Sequence, residues 1–240
     1  MFGKIISLLK DLYYTFFPKT CIFCNELLTK KERQLGKNEK STIYERICYT
    51  CRKNYRYEDI TNIGDNFAPI AGYIKDICIA FWYPIAKTAI YKFKFKENIR
   101  KGEILSQMLC DRLEYKTWIH DIDYIVPVPL HYIDKFKIGY NQCDIIADVI
   151  GKRFKKNVIK NNLTRIVRSK SQHKSSRQDR YKNVRGAFKV KHPDVFNNKK
   201  ILLIDDVVTT CSTLKECCKV LKENSNNEIY VACLSSGIKQ

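Results

Sequence analysis

The segment ILLIDDVVTTCSTL, residues 201–214, constrains the fold most strongly, because its polarity changes abruptly. The four apolar residues 201–204 are typical of a strand that is covered on both faces in a parallel sheet. Asp205 and Asp206 follow directly at the carboxyl end of that strand. In open α/β sheets, ligands bind in the crevice beyond this end of the strands. The segment therefore predicts an α/β fold with a ligand site beside the two acids.

Hydroxyl side chains dominate residues 209–213, and an apolar pattern at helical spacing follows them. The backbone amides of such a loop and the dipole of the next helix can hold a phosphate, and Ser212 or Thr213 could cap that helix. The adjacent carboxylates could bind sugar hydroxyls or a hydrated Mg²⁺. Alternatively, Asp205 and Asp206 start a solvated turn, and acid pairs after a strand also occur in nucleotide hydrolases and phospho-acceptor domains.

Two CxxC pairs near the N-terminus indicate a metal site. CIFC at 21–24 and CYTC at 48–51 can present four thiolates to one Zn²⁺ in a tetrahedron, which gives a closed, structural site. The expected ligands are Cys21, Cys24, Cys48 and Cys51. Redox-active CxxC pairs are the alternative. The chain has 11 cysteines, and the other seven lie in apolar segments, which fits buried thiols in a reducing compartment.

The charge of the chain favours an anionic partner. Lys and Arg number 44 against 25 Asp and Glu, which gives a net charge of +19. Such a surface attracts nucleic acid, phosphorylated substrates or anionic lipid. An AT-rich genome that enriches lysine is the alternative explanation.

The apolar pattern predicts a cytoplasmic protein that is not an integral membrane protein, because no window holds 18 consecutive apolar residues. Residues 1–20 predict a short amphipathic helix that is docked on the protein or, alternatively, touches a membrane.

The middle of the chain alternates apolar and basic segments. YKFKFK at 91–96 predicts a half-buried strand, with Lys94 either solvated or facing a phosphate. Residues 123–131 predict a second strand that ends at PVP, and residues 139–142 predict the start of a helix. Residues 163–188 are rich in cations and hydroxyls, which is typical of a disordered basic loop or of a mobile hood over a polyanion. In the hood interpretation, phosphates are clamped by Lys174, Arg177 and Arg180.

These motifs together resemble the ComF family of competence proteins. In chain order they are CIFC and CYTC, YKFKFK, VPVPLH followed by GYNQ, NVRGAF, and LLIDDVVTTCSTL. The resemblance implies a four-cysteine zinc module at 21–56 and a type I phosphoribosyltransferase-like domain at 70–240, whose mostly parallel sheet is flanked by helices. It further implies a factor of natural transformation that binds single-stranded DNA. The implied partners are membrane-associated DNA-uptake machinery at the inner face of the membrane and a competence helicase.

The resemblance also implies a pocket for phosphoribosyl pyrophosphate (PRPP) or a related sugar phosphate. The two acids would contact the ribose hydroxyls, and the loop after them would wrap the 5′-phosphate. The implied PRPP-binding residues are Asp205, Asp206, Val207, Val208, Thr209, Thr210, Cys211, Ser212 and Thr213. The alternative function is an active, Mg²⁺-dependent phosphoribosyltransferase with an unidentified acceptor. Its catalytic cations would be Lys94, Lys174, Arg177 and Arg180.

Two positions depart from the family pattern. Glycine is usual where this chain has Cys211, because the backbone there approaches the phosphate closely and often needs a positive φ. A Cβ in that conformation costs on the order of 1 kcal/mol. Ile138 stands where relatives carry arginine before the GYNQ run. Both changes touch the phosphate chemistry, so the sequence favours ligand binding over turnover.

Overall fold

The computed structural model describes residues 13, 16, 18–35, 46–54, 67–94, 99–168, 184–223 and 225–237. The strands are β1 (Asp76–Trp82), β2 (Tyr124–Pro127), β3 (Asn157–Val158), β4 (Leu163–Arg165), β5 (Phe188–Val190), β6 (Lys200–Val208) and β7 (Glu228–Ser236). The helices are α1 (Lys30–Leu35), α2 (Tyr49–Asn54), α3 (Ala68–Ala71), α4 (Tyr83–Lys94), α5 (Ile99–Leu113), α6 (Tyr132–Ile138), α7 (Gln142–Phe154) and α8 (Ser212–Lys222).

Five strands form one sheet in the order β1-β7-β6-β2-β3, and every neighbouring pair is parallel. β4 and β5 form a separate antiparallel pair. The predicted architecture is confirmed: an α/β fold with a parallel sheet flanked by helices, and an N-terminal four-cysteine cluster. None of the described helices has the length and apolar character needed to cross a bilayer.

The two central strands are apolar along their length because both of their faces are covered. Residues 201–204 of β6 and 231–234 of β7 are completely buried. On one face, α5 packs against β1, β7 and α7, while α7 packs against β2 and β6. α8 packs instead against α3 and β5, as expected for the opposite face when all crossovers are right-handed.

The direction of the crossovers reverses between β6 and β2. The chain runs from β2 to β3 at one edge of the sheet, whereas it runs from β6 to β7 in the opposite direction. The connections that leave these two adjacent strands therefore diverge and open a crevice at their carboxyl ends. A topological switch point of this kind is where open α/β sheets bind ligands.

β6 is longer than the sequence predicts, because it continues through Asp205 and Asp206 to Val208. Its pairing with β7 persists to Val208, opposite Ser236, whereas its pairing with β2 stops at Ile204. The two acids therefore lie within a strand, at the point where its neighbour on one side has ended. They border the switch-point crevice.

The prediction of a strand at 91–96 is wrong, because residues 91–94 form the last turn of α4. Tyr91 is 60% exposed while Phe93 is completely buried. A strand would place these two residues on the same face, whereas a helix turns by about 200° over two positions and separates them. The rest of the segment, residues 95–98, lies outside the described residues.

Gly102 of α5 gives the Phe93 ring its space. A methyl group at Gly102 would overlap that ring, and the ring is buried and stacked on Tyr140 at a centroid distance of 6.1 Å. Alanine in a helix interior is normally about 1 kcal/mol more favourable than glycine. Overpacking a full core costs about 1–3 kcal/mol, so we expect Gly102→Ala to be destabilising in urea titrations.

The matched control for this substitution is Gly72→Ala. Gly72 has a φ of −73°, and a Cβ there would meet nothing within 4 Å. We expect the control to leave the urea midpoint unchanged or slightly raised. Equal midpoints for the two variants would contradict the packing role of Gly102.

Two of the sequence predictions concern segments that lie mainly outside the described residues. Of residues 1–20, only 13, 16 and 18–20 are described, so the amphipathic helix stays a prediction. Residues 169–183 are outside the described residues, and Lys174, Arg177 and Arg180 fall among them.

Candidate functional site

A pocket opens at the carboxyl end of β6, at the switch point of the sheet. The space between its lining atoms, which is open to solvent, is about 200 Å³. It is lined by Asp205, Val207, Val208, Thr209, Thr210, Cys211, Ser212, Thr213 and Leu214. Eight of the nine PRPP-binding residues expected from the sequence therefore lie together around one pocket. The ninth, Asp206, does not line it.

The loop between β6 and α8 has the geometry of an anion cradle. Cys211 adopts φ 58°, the left-handed conformation expected at this position. α8 begins at the next residue, so Cys211 is the N-cap, which the sequence assigned to Ser212 or Thr213. Ser212 instead hydrogen-bonds Thr210 through the two hydroxyl oxygens, 2.8 Å apart. The amino end of α8 thus faces the pocket, where its unpaired amides and dipole favour an anion.

Asp205 is a buried acid that resists ionisation. Its side chain is 8% exposed, and Oδ1 accepts the Asp206 amide at 2.9 Å and the Cys143 thiol at 3.8 Å. Burial, followed by the charge of Asp206, raises the pKa of Asp205 to about 7, against an ordinary value of 3.8. The carboxyl group can therefore change its protonation state near neutral pH.

Asp206 is paired with Lys94, the last residue of α4. Lys94 Nζ lies 2.8 Å from Asp206 Oδ2, with the two side chains 37% and 14% exposed. Burial alone would lower the pKa of Lys94, but the attraction of Asp206 and Asp205 outweighs it, so the pKa of the ammonium group is raised. The site therefore contains two adjacent acids and one ammonium group.

Residues 139–142 hold the end of α4 in place. The Tyr140 hydroxyl donates to Phe93 O, and Gln142 Nε2 donates to Lys94 O at 3.1 Å. Asn141 caps α7 and also donates to Val128 O, just beyond β2, at 3.0 Å. The sequence predicted only that a helix starts here, and this is confirmed. That the same residues position Lys94 was missed, because their partners are backbone carbonyls and no residue type in the sequence marks them.

The four cysteines of the two CxxC pairs are brought together. Their sulfur atoms all lie within 4.8 Å of one another, and Cys24 Sγ is 3.6 Å from Cys48 Sγ. Tetrahedral Zn²⁺ with Zn–S bonds of about 2.3 Å requires sulfur–sulfur distances of roughly 3.8 Å. The Cys51 amide also donates to Cys48 Sγ at 3.4 Å. The cluster could hold a metal ion such as zinc.

The cluster is joined to the sheet by a shared core. Phe23, between the first two cysteines, packs edge-on against Phe81 of β1 at a ring-centroid distance of 5.3 Å. Ile22, Leu28 and Ile47 are buried in the same continuous cluster as the strands. The conformation around the four thiols therefore affects the packing of β1.

Comparisons with known proteins agree with the sequence motifs. The chain matches no protein-family model. It is 26% identical to "Competence protein F" of Haemophilus influenzae over 90% of this chain and 96% of that protein. It is 27% identical to "DNA utilization protein YhgH" of Escherichia coli over 66% of this chain and 70% of that protein.

Among solved structures, the chain is similar to adenine phosphoribosyltransferase from Leishmania tarentolae. The TM-score is 0.37 with 13% identity, over 60% of this chain and 74% of that one.

The motif order and the relatives agree along most of the chain. The four cysteines meet in one cluster, and the residues of the acid and hydroxyl segment meet around one pocket. The match to the Haemophilus relative spans 90% of the chain. The chain thus resembles the ComF family in its motifs and is similar to a competence protein along most of its length.

Proposed function

We propose that the protein handles single-stranded DNA in natural transformation and binds PRPP, or a related sugar phosphate, in the switch-point pocket. In this proposal residues 21–56 are a zinc module and residues 70–240 carry the pocket. The proposed setting is the cytoplasm, close to the DNA-uptake machinery of the membrane and a competence helicase.

The observation that carries the sugar-phosphate part is the position of the pocket. A buried acid and the amino end of α8 meet at the point where the crossovers diverge. The amides of the loop suit a phosphate, and a carboxylate suits vicinal sugar hydroxyls. Mg²⁺ would enter with a pyrophosphate, because this ion prefers to keep water and phosphate ligands.

The DNA part rests on charge and on the relatives. A net charge of +19 favours binding to a polyanion through counterion release. Two relatives are named for competence and for DNA utilization. The cations at 174, 177 and 180 are proposed to contact phosphates on the basis of the sequence alone.

Turnover is the second candidate function, and the ammonium group of Lys94 favours it. In a phosphoribosyl transfer, the bond between ribose C1 and pyrophosphate breaks and a new bond forms from C1 to the acceptor. A fixed cation beside the departing pyrophosphate would stabilise the charge that develops there. Lys94, held by Asp206 and Gln142, is suited to that role.

The test is a calorimetric titration of PRPP with Mg²⁺ into wild-type protein and Asp206→Asn. If Asp206 exchanges its contact with Lys94 for one with the ribose, the variant should lose affinity about tenfold or more, as for a charge-assisted hydrogen bond. The same titration with an oligonucleotide present would show whether DNA and PRPP compete. Pyrophosphate release with an added acceptor would indicate turnover.

Asp144→Asn is a closely matched control. Asp144 also pairs with a lysine, Lys135, at 2.9 Å, with side-chain exposures of 17% and 44%. Unlike Asp206, it lies in α7, outside the segment 205–213. We expect PRPP affinity to be unchanged in this variant. Wild-type protein that binds no PRPP would refute the sugar-phosphate part of the proposal.

A further inference from the structure

α6 is a helix that contributes nothing to the core. None of its seven residues is buried. Polar contacts hold it to the rest of the domain. Asp134 pairs with Arg168 at 2.9 Å, and Lys135 pairs with Asp144 at 2.9 Å. Because a short helix is normally stabilised by packing an apolar face, the exposed face of α6 calls for another explanation.

Two aromatic rings project from α6 into solvent. Tyr132 is 72% exposed and Phe136 is 88% exposed. Residues four positions apart lie on the same face of a helix, so the two rings are neighbours. Single exposed apolar residues are common, but adjacent exposed rings on an element with no buried residue indicate a contact surface.

The ring of Tyr132 is held in one orientation by the neighbouring side chain of His131. His131, the N-cap of α6, is 6% exposed, and its Nδ1 accepts the amide of Ile133 at 3.3 Å. The Tyr132 ring packs against this fixed imidazole at a centroid distance of 4.5 Å. Tyr132 therefore loses little conformational freedom when it binds a flat partner.

α6 also follows β2, one of the two strands that flank the switch point. β2 ends at Pro127, and the Val128 amide donates to Ile204 O at 2.9 Å, the residue before Asp205. Four residues later α6 begins. A nucleic-acid strand that reaches the pocket could therefore also contact α6.

Among the described residues, the charge on α6 that no ion pair neutralises is positive. Asp134 is neutralised by Arg168, whereas Lys137 forms no ion pair with any described residue. Lys135 and Lys137 flank Phe136 in the chain. Rings next to cations match single-stranded nucleic acid, in which bases stack on aromatic faces and phosphates approach the cations.

We propose that α6 is a stacking platform for the bases of single-stranded nucleic acid, with Phe136 and Tyr132 as the rings and Lys137 as a phosphate contact. This deepens the proposed DNA function and rests on it. A seven-residue helix with three charged side chains offers too little apolar area for a membrane contact, which needs a broad apolar face.

The test compares a fluorescent thymidine oligonucleotide with an abasic strand of the same length, by anisotropy, using the full chain. Phe136→Ala should bind the base-bearing strand about tenfold more weakly, as for the loss of one stacked base. Its affinity for the abasic strand should not change. The salt dependence should also be unchanged, because no charge is removed. Phe136→Trp should restore the affinity, whereas Phe136→Leu should not.

Tyr115→Ala is the control, because Tyr115 is also a highly exposed ring, at 83%, but lies before β2 at the amino edge of the sheet. It should bind both strands like wild type. If wild type binds the oligonucleotide and Phe136→Ala and Tyr132→Ala bind it equally well, the platform is refuted while the DNA function stands. Equal weakening on the two strands would also refute stacking.

A different occupant would give a different pattern. If the ring variants keep their DNA affinity but lose binding to vesicles of phosphatidylglycerol, α6 contacts lipid and the proposal is wrong. Wild-type protein that binds neither strand would instead contradict the DNA function itself.

Discussion

Chelating the metal should lower the thermal unfolding midpoint of the whole chain by about 15 °C. Structural Zn²⁺ binds small four-ligand modules with about 10–16 kcal/mol, and that free energy is available for folding. A third of that binding free energy is about 4–5 kcal/mol. Each kcal/mol of lost stability lowers the unfolding midpoint of a chain this size by about 2–4 °C. The four cysteines join two segments of the chain that are distant in sequence, so we expect a metal held there to contribute to the stability of this region.

The effect should reach the sheet because the cluster and the sheet share side chains. Phe23 lies between two of the cysteines and packs against Phe81 of β1. Among the described strands, β1 is an edge strand that pairs with β7 alone, so a loss of packing at Phe81 weakens one side of the sheet. We therefore expect one lowered transition rather than a separate transition for the N-terminal module.

Calorimetry together with metal analysis checks this expectation. Cys48→Ser should lose the metal and reproduce the effect of the chelator. Cys110→Ala is the control, since this thiol is also buried but lies in α5, away from the cluster. It should keep one metal per chain. A chelator that strips the metal and leaves the midpoint unchanged would show that the cluster does not stabilise the domain.

Asp205→Asn should stabilise the protein at about pH 8 and weaken its binding of PRPP. The pKa of Asp205 is raised, mainly by burial, from an ordinary value of 3.8 to about 7. Between these values the folded state holds a proton that the unfolded state has released. The contribution of Asp205 to folding stability is therefore most favourable below about pH 4. It falls as the pH rises to about 7 and stays constant above that pH.

Asparagine removes this penalty because it carries no charge and can still accept the Asp206 amide through its side-chain oxygen. We expect a gain on the order of a few kcal/mol at about pH 8, and almost none at about pH 4. PRPP affinity should fall at least about tenfold if this carboxylate accepts the sugar hydroxyls as proposed.

Urea titrations of both proteins across this pH range, with calorimetry of PRPP, measure the two effects. Asp148→Asn is the control, because Asp148 is 53% exposed and pairs with Lys160 at the surface. A surface pair of this kind contributes about 0–1 kcal/mol. A difference between Asp205→Asn and wild type that does not change with pH would contradict the titration of Asp205.

Several features could be predicted because they depend on short stretches of chain. The apolar run 201–204 required a strand covered on both faces, and this segment is buried at the centre of the sheet. The CxxC spacing required thiols in pairs, and the two pairs meet. The family pattern implies a positive φ at position 211, and Cys211 has one. Neighbouring residues set the strand and the spacing within each CxxC pair, so the order of residue types is sufficient for these two features.

Contacts between distant residues could not be predicted in this way. The alternation in YKFKFK fits a strand as well as a helix end over so few positions, and only the space at Gly102 for the Phe93 ring decides in favour of the helix. Lys94 and Asp206 meet because α4 ends over the crevice, where Gln142 binds the carbonyl of Lys94.

The sequence by itself determined the strand, the acids, the hydroxyl loop and the ligands for a metal. Only the tertiary structure decided that the acids border a switch point, that one of them is buried enough to titrate near neutrality, and that two rings of α6 are exposed. The physical reason is that local conformation depends on adjacent residues, whereas burial, pKa and the position of a pocket depend on which elements pack around a residue.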